Sequence, residues 1–273
     1  PSGLAVTVTL SVNVASTATT TDFTLGTSIV VPAGATTTSI TFSAVQDALD
    51  ELNETVVIDI TAVSNGTENA VQTQTVTITD YDAPPTVSLS VGSTSITETT
   101  GTSTNTTTVT ATLSALSGLD VTVNLTTSGT AVAGDFTLPT PIVVAAGTTT
   151  AFIALTAVDD SRDEDGTASE NNTVTTGETV IIDISTITNG TETGTEQQTV
   201  TIIDNDAPPS VTMSVTETTL GEDSGTTTST LTVAINTVSD LEVTVNFAKS
   251  GTASDNIDYT LVGLAAIPAG SLS

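Results

Sequence analysis

The chain of 273 residues contains no cysteine, no histidine and no tryptophan, and only two basic residues, Arg162 and Lys249. Each absence closes a class of chemistry. Without thiols there are no disulfides, no thiol nucleophile and no thiolate metal site. Without histidine or cysteine the usual acyl-transfer triads and most metalloenzyme centres are excluded, and no phosphate-cradling glycine motif takes their place. Paired carboxylates can hydrolyse glycosides, but aromatic residues make up only 3% of the chain and offer little surface to hold a sugar. The expectation is a protein that is not an enzyme. No signal-peptide pattern and no apolar run of about 18 residues appears in this stretch of sequence. No window shows a helical 3.6-residue period.

What is present is acid. Thirty-one Asp and Glu give a net charge of −29. Such a surface repels nucleic acid and anionic membranes, which require a basic stripe, and it attracts cations. Acidic chains with few aromatics can be disordered, but here 37% of residues are hydrophobic and they alternate with threonine. The runs Val6-Thr7-Val8-Thr9-Leu10, Val121-Thr122-Val123-Asn124-Leu125 and Val200-Thr201-Ile202 have the period of strands with one buried face. Threonine, about a quarter of the chain, suits outward strand positions and disfavours helix. Asn65-Gly66 and Asn189-Gly190 are hairpin turn signals. The sequence predicts an all-β chain.

The acidic-proline junction Asp80-Tyr81-Asp82-Ala83-Pro84-Pro85 returns as Asp204-Asn205-Asp206-Ala207-Pro208-Pro209, 124 residues on, and Val87–Val91 returns as Val211–Val215. A period of this length is domain-sized. The expected organisation is the C-terminal part of one repeat at 1–83, a complete repeat at 86–207 and the N-terminal part of a third at 210–273, with the natural chain continuing in both directions. Paired prolines cannot continue a ladder and predict stiff, extended links, so the sandwiches should join end to end. Phe23, Phe136 and Tyr259 each follow an aspartate, and Phe42 matches Phe152; this recurrence predicts core or corner positions.

The carboxylates gather at strand ends. In the first repeat they are Asp22, Asp47, Asp50, Glu51, Glu54, Asp80 and Asp82; in the second, Glu98, Asp135, Asp159, Asp160, Glu178, Asp204 and Asp206; in the third, Glu222 and Asp258. Like charges brought together raise one another's pKa and oppose folding, which a hard cation resolves. Calcium takes about six to eight oxygen ligands in irregular geometry, whereas zinc and copper lack their preferred ligands here. Aspartate is also common in solvated turns, but recurrence at matching positions favours Ca2+ ligands. Asp59 and Asp183, which alternate with apolar residues, should simply face water.

At these residues the sequence resembles the Calx-beta family. The resemblance rests on Glu98-Thr-Thr-Gly101 and Glu222-Asp-Ser-Gly225, on Gly129-Thr130-Ala131 leading to Asp135-Phe136 and Gly251-Thr252-Ala253 leading to Asp258-Tyr259, and on the acidic segment Gln46-Asp47-Ala-Leu-Asp50-Glu51-Leu-Asn-Glu54-Thr55. It covers nearly the whole chain, each motif being loose and the order carrying the specificity. It implies seven-stranded Ig-like antiparallel β-sandwiches in tandem, with calcium ligands at one tip facing the next repeat. The second repeat departs from the pattern by a loop, 161–173, before Glu178. Asp163-Glu164-Asp165-Gly166 is a weak EF-hand match, since Ser161 and Asn172 occupy the required end positions; Asp163 or Asp165 is a candidate ligand for an extra ion.

Six Asn-x-Ser/Thr sequons, at Asn53, Asn65, Asn105, Asn124, Asn171 and Asn189, are close to the chance number in a chain this rich in Ser and Thr. The leading expectation is a calcium-rigidified structural repeat of a long extracellular or cell-surface fibre, stalk or adhesin. Its partners would be neighbouring repeats and laterally or axially associated copies, with no nucleic acid and no membrane insertion. A calcium-sensing regulatory module and a directly adhesive, receptor-binding module are the alternatives.

Overall fold

A computed structural model of the chain describes residues 1–99, 105–164, 177–222, 227–261 and 265–273. Every regular element among them is a β-strand. The leading segment holds β1 (Val6–Val12), β2 (Phe23–Leu25), β3 (Ser28–Val31), β4 (Phe42–Ala44), β5 (Glu54–Ser64) and β6 (Thr73–Ile78). The central segment holds β7 (Thr86–Val91), β8 (Ser95–Thr97), β9 (Thr106–Leu113), β10 (Val121–Gly129), β11 (Phe136–Thr137), β12 (Ile142–Val144), β13 (Thr150–Ala157), β14 (Glu178–Thr188), β15 (Thr191–Glu192) and β16 (Gln197–Ile203). The trailing segment adds β17 (Val211–Val215), β18 (Leu231–Ile235), β19 (Val243–Val245) and β20 (Ala265–Ile267).

The central segment is a two-sheet sandwich. One sheet has the order β12-β10-β14-β16-β8, the other β11-β13-β9-β7-β15. Pairing is antiparallel except at two edges, where β8 runs parallel to β16 and β15 parallel to β7. These edge pieces arise because the chain changes sheets: at Gly92 it leaves β7 in one sheet and enters β8 in the other. The result is ten strand segments in place of the seven expected. Period-two alternation supplies the core. Val121 and Val123, Val180 and Ile182, and Val200 and Ile202 from one sheet meet Val87, Val109, Ala111 and Leu155 from the other. Burying a Val, Leu or Ile side chain contributes about 1.5–3 kcal/mol, so this shared interior is what fixes the position of the strand ends.

The leading segment has the sheet β3-β1-β5-β6 and the separate pair β2-β4, over a small core of Ala18, Phe23 and Val56. Phe23 stacks on Phe42 with ring centroids 5.4 Å apart. The expectation for Phe152 fails. It is 69% exposed, because the strand period that points Leu155 and Ala157 inward points Phe152 outward. Tyr259 is partly exposed and carries Lys249 over its ring at 5.9 Å. In the trailing segment β17 pairs β18 and β19 pairs β20, around Val233, Ile235 and Ile267. The two Asn-Gly turns have the same geometry: Asn65 and Asn189 both have φ of 58°, and their side-chain amides donate to Ala5 O and Asp120 O.

Candidate metal centre

The strand ends that converge at one tip of the central sandwich all carry acid. Glu98 follows β8, Asp135 precedes β11, Asp159 to Glu164 follow β13, Glu178 opens β14, and Asp204 and Asp206 follow β16. Two triads result. Glu98, Asp204 and Asp206 form one and Asp135, Glu164 and Glu178 the other, each with one carboxylate oxygen per residue and all three oxygens within 4.8 Å of one another. That spacing is about twice a calcium–oxygen bond, so a single ion could be held by all three. The cluster is built rather than accidental. Asp204 accepts the Glu164 N–H at 3.1 Å through one oxygen and the Asp206 N–H at 2.8 Å through the other. Asp135 accepts the Val132 N–H at 2.5 Å, and Glu98 N donates to Ile203 O at 3.0 Å. Asp160 accepts the Arg162 N–H, and Asp159 accepts from the Asn205 side chain.

The tip is under electrostatic load. Glu98 is only 2% exposed and Asp204 only 4%. Burial first, then the charges of Glu164, Asp204, Asp160 and Asp135, push Glu98 up to about 8. Glu164 rises to about 7, by burial and then by Asp135, Asp160, Asp240 and Asp204. Glu178 is raised by burial, by its carboxyl contact with Asp135 and by the charges of Asp135, Glu164 and Asp240. Asp206 is raised by burial and by Asp204, Asp160, Asp159 and Asp163. Three buried carboxylate oxygens, Glu98 Oε2, Glu178 Oε2 and Asp206 Oδ2, have no hydrogen-bond partner. A buried acceptor left unsatisfied in a cluster of like charge is the donor set a hard cation requires.

The leading segment repeats this tip. Asp22, Glu51 and Glu54 form the same triad within 4.8 Å. Asp80 accepts the Glu51 N–H at 2.9 Å and the Asp82 N–H at 3.1 Å, as Asp204 does for Glu164 and Asp206. Asp22, Asp47, Glu51, Glu54, Asp80 and Asp82 all line one cleft of about 310 Å³. Burial opposes ionisation of Asp22, but hydrogen bonds from the Thr19 N–H and the Thr19 and Thr21 hydroxyls outweigh it and hold its carboxyl low. Bonds from the Glu51 and Asp82 N–H groups hold Asp80 low. Glu54 is pushed up to about 7, by burial and then by Asp22 and Glu51. In the trailing segment Glu222 and Asp258 line a common cavity, Asp258 accepting the Ser254 N–H at 2.7 Å. No triad forms around them among the described residues.

Two placements differ from the sequence reading. Asp50 lies outside the cleft and is buried against Ser117. Glu164, absent from the expected ligands, belongs to the second triad, whereas Asp163 is buried against Ser239 and Asp165 lies outside the described residues. The signal was present in Ala44-Val45-Gln46-Asp47-Ala-Leu-Asp50-Glu51, which matches Ala157-Val158-Asp159-Asp160-Ser-Arg-Asp163-Glu164. The extra residues therefore begin after Glu164, not after Asp160. Asp59 and Asp183 are half-buried on their strands, Asp59 accepting from Asn13 and Thr73.

Fold and tip define an all-β sandwich protein with acidic clusters that could bind a metal ion. No protein-family profile matches the chain, and no curated protein does. Solved structures are similar to it. Two of them are the crystal structure of CBD12 from CALX1.2, at 17% identity, and that of the calcium binding domain CBD12 of CALX1.1, at 16%. Each comparison covers 68% of this chain and 69% of the other, with a TM-score of 0.26. At that score the assignment of the fold rests on the sheets themselves.

Proposed function

We propose that this chain is a calcium-binding structural repeat of a long extracellular fibre, stalk or adhesin, with ions at the tips stiffening the joints between successive repeats. The repeats are those bounded at 1–83, 86–207 and 210–273, and their partners are neighbouring repeats and further copies of the chain. The observation that carries the reading is Glu98, 2% exposed with an unpartnered Oε2, in reach of Asp204 and Asp206. Removing one partner from a buried polar pair normally costs about 1–3 kcal/mol, and more for a charge, so a bare cluster of this kind lowers stability. An ion that binds only the folded state restores it. Glu98, Asp204 and Asp206 would hold one ion, and Asp135, Glu164 and Glu178 another; the ion supplies charge neutralisation and cross-linking of strand ends, not a reaction. Oxygen-only ligands favour calcium.

Calcium added after chelation should raise the melting temperature of the chain, since a ligand at a hundredfold excess over Kd contributes about 2.7 kcal/mol. Titration calorimetry in low salt should show binding in the same samples. A flat titration with an unchanged melt would remove the calcium reading.

A further inference from the structure

The two outer segments are complementary parts of the central sandwich. There β7 lies over β16, with Val87 and Leu89 buried between the sheets. Side chains at the start of β16 clip its backbone: Glu196 Oε2 accepts the Leu89 N–H at 3.1 Å, and Gln198 Nε2 donates to Leu89 O at 3.2 Å. The chain then runs on into β8, which pairs in parallel with β16, Ile96 opposite Ile202, and sets Glu98 at the tip.

The leading segment has the receiving sheet, and residues 1–83 hold no counterpart of β7 or β8. Its β5 and β6 repeat β14 and β16 at an offset of 124 residues. Ile58, the counterpart of the fully buried Ile182, lines an open groove of about 410 Å³ with Leu25, Ile40 and Phe42. Gln72 and Gln74, the counterparts of Glu196 and Gln198, line the same groove. An amide side chain both accepts and donates, so this pair is equipped to clip a strand as Glu196 and Gln198 do. β6 is an edge strand, and an unpaired edge is a template for another strand.

The trailing segment has the missing part. Val211, Met213 and Val215, the counterparts of Val87, Leu89 and Val91, are 45%, 64% and 49% exposed. Leu220 and Glu222, the counterparts of Ile96 and Glu98, are exposed as well. Neither β17 nor β18 carries a charged side chain, and Asp59 is the one charged residue lining the groove. In a chain of net charge −29, these are surfaces that do not repel one another.

We propose that the groove of the leading segment receives residues 211–222 of a second copy, so that copies join head to tail. β17 lies over β6 with Met213 clipped by Gln72 and Gln74, and β18 moves with β17 as its paired neighbour. Leu220 pairs beside Ile78, and Glu222 reaches the tip of Asp22, Glu51 and Glu54, the place that Glu98 holds in the central sandwich. The acceptor's β1 and β3 already stand where β10 and β12 stand, so the donor's β19 and β20, which repeat those two strands, stay outside. The donor strands exchange the small core of Val233, Ile235 and Ile267 for the larger interior of a complete sandwich. Such a contact joins two different surfaces and does not close on itself, so it builds open chains. It gives the further copies of the proposed function a surface, and it does not depend on bound calcium.

Sedimentation of the intact chain, in chelator and again with calcium, should show multiples of the monomer that grow with concentration. Met213→Asp spoils the donor strand and Ile40→Asp the groove; both positions are exposed, so each chain keeps its own fold. Either variant alone should be monomeric. Their mixture should stop at a dimer, because one supplies only a groove and the other only a donor. Register is read by disulfide formation, which a cysteine-free chain permits. Thr201 faces Ser95 in the central sandwich, so chains with Thr77→Cys and chains with Thr219→Cys should cross-link at least about tenfold faster than chains with Thr73→Cys and Thr219→Cys. A chain carrying both Thr77→Cys and Thr219→Cys should give a ladder of linked copies. A monomer in both conditions, assembly indifferent to either Asp variant, equal cross-linking from Thr73 and Thr77, or a disulfide within one chain overturns the proposal. Calorimetry on the monomeric variants reads calcium binding separately, so either idea can fail without the other.

Discussion

The leading and central tips carry the same triad on the same hydrogen bonds, yet only the central one is deeply loaded. Asp22, Glu51 and Glu54 are all partly exposed, whereas Asp135 is 6% exposed and Glu98, in the other central triad, 2%. In the central sandwich β8 pairs with the edge of β16 and delivers Glu98; the leading segment, read as the C-terminal part of a repeat, has no strand of this kind beside β6 among residues 1–83. The count of carboxylates alone does not set the load. What covers them decides it, because desolvation is the largest cause of the raised values of Glu98, Glu164 and Glu178.

Replacing the covering acid tests this most severely. Glu98→Gln should lower calcium affinity of the central tip at least tenfold, about 1.4 kcal/mol per tenfold, while raising the melting temperature of the metal-free chain. Opposite signs with and without calcium separate a ligand from a packing residue; a loss in both would make Glu98 merely structural.

Acidity gives the next effect. Glu98 at about 8 and Glu164 at about 7 stand above the Glu value of 4.5. The folded chain therefore keeps protons that the unfolded chain has released, and the associated stability is complete below about pH 4.5 and lost as pH rises through 7 to 8. Metal-free protein should melt higher at pH 5 than at pH 8, and saturating calcium should shrink or reverse that difference. Metal-free melts that rise over this range would contradict the loaded tip.

A smaller effect separates position from charge. Asp160→Asn should weaken calcium binding about threefold, under 1 kcal/mol, and Asp183→Asn should hardly change it. Equal losses would mean that a diffuse acidic atmosphere, not a coordinated site, attracts the ion.

The all-β fold was legible because Val-Thr alternation maps directly onto the two faces of a strand, as Val121, Val123, Val180 and Ile182 show. Most of the tip was legible too, since strand-end acids recur in register. Glu164 was hidden by the insertion that follows it, which made Asp159-Asp160 look like the end of the match. Asp50 was misleading for another reason: its carbonyl and carboxylate meet Ser117, a residue far along the chain that no local pattern connects to it. Phe152 shows the converse: the frame that matches Ala44 to Ala157 pairs Phe42 with the buried Leu155, so Phe152 lies three positions off the match and on the outer face of its strand.

The interval between Glu164 and Glu178 is eleven residues longer than that between Glu51 and Glu54, yet both pairs close into the same triad. Chain statistics explain why such an addition is tolerable. The entropy of bringing two ends together grows only with the logarithm of the tether, so the longer segment costs roughly 1–1.5 kcal/mol more. An ion bound as proposed above would outweigh that. The tip is thus the place on this sandwich where length can vary freely between repeats, because its geometry is set by the strands that anchor the ends and not by the chain that runs between them.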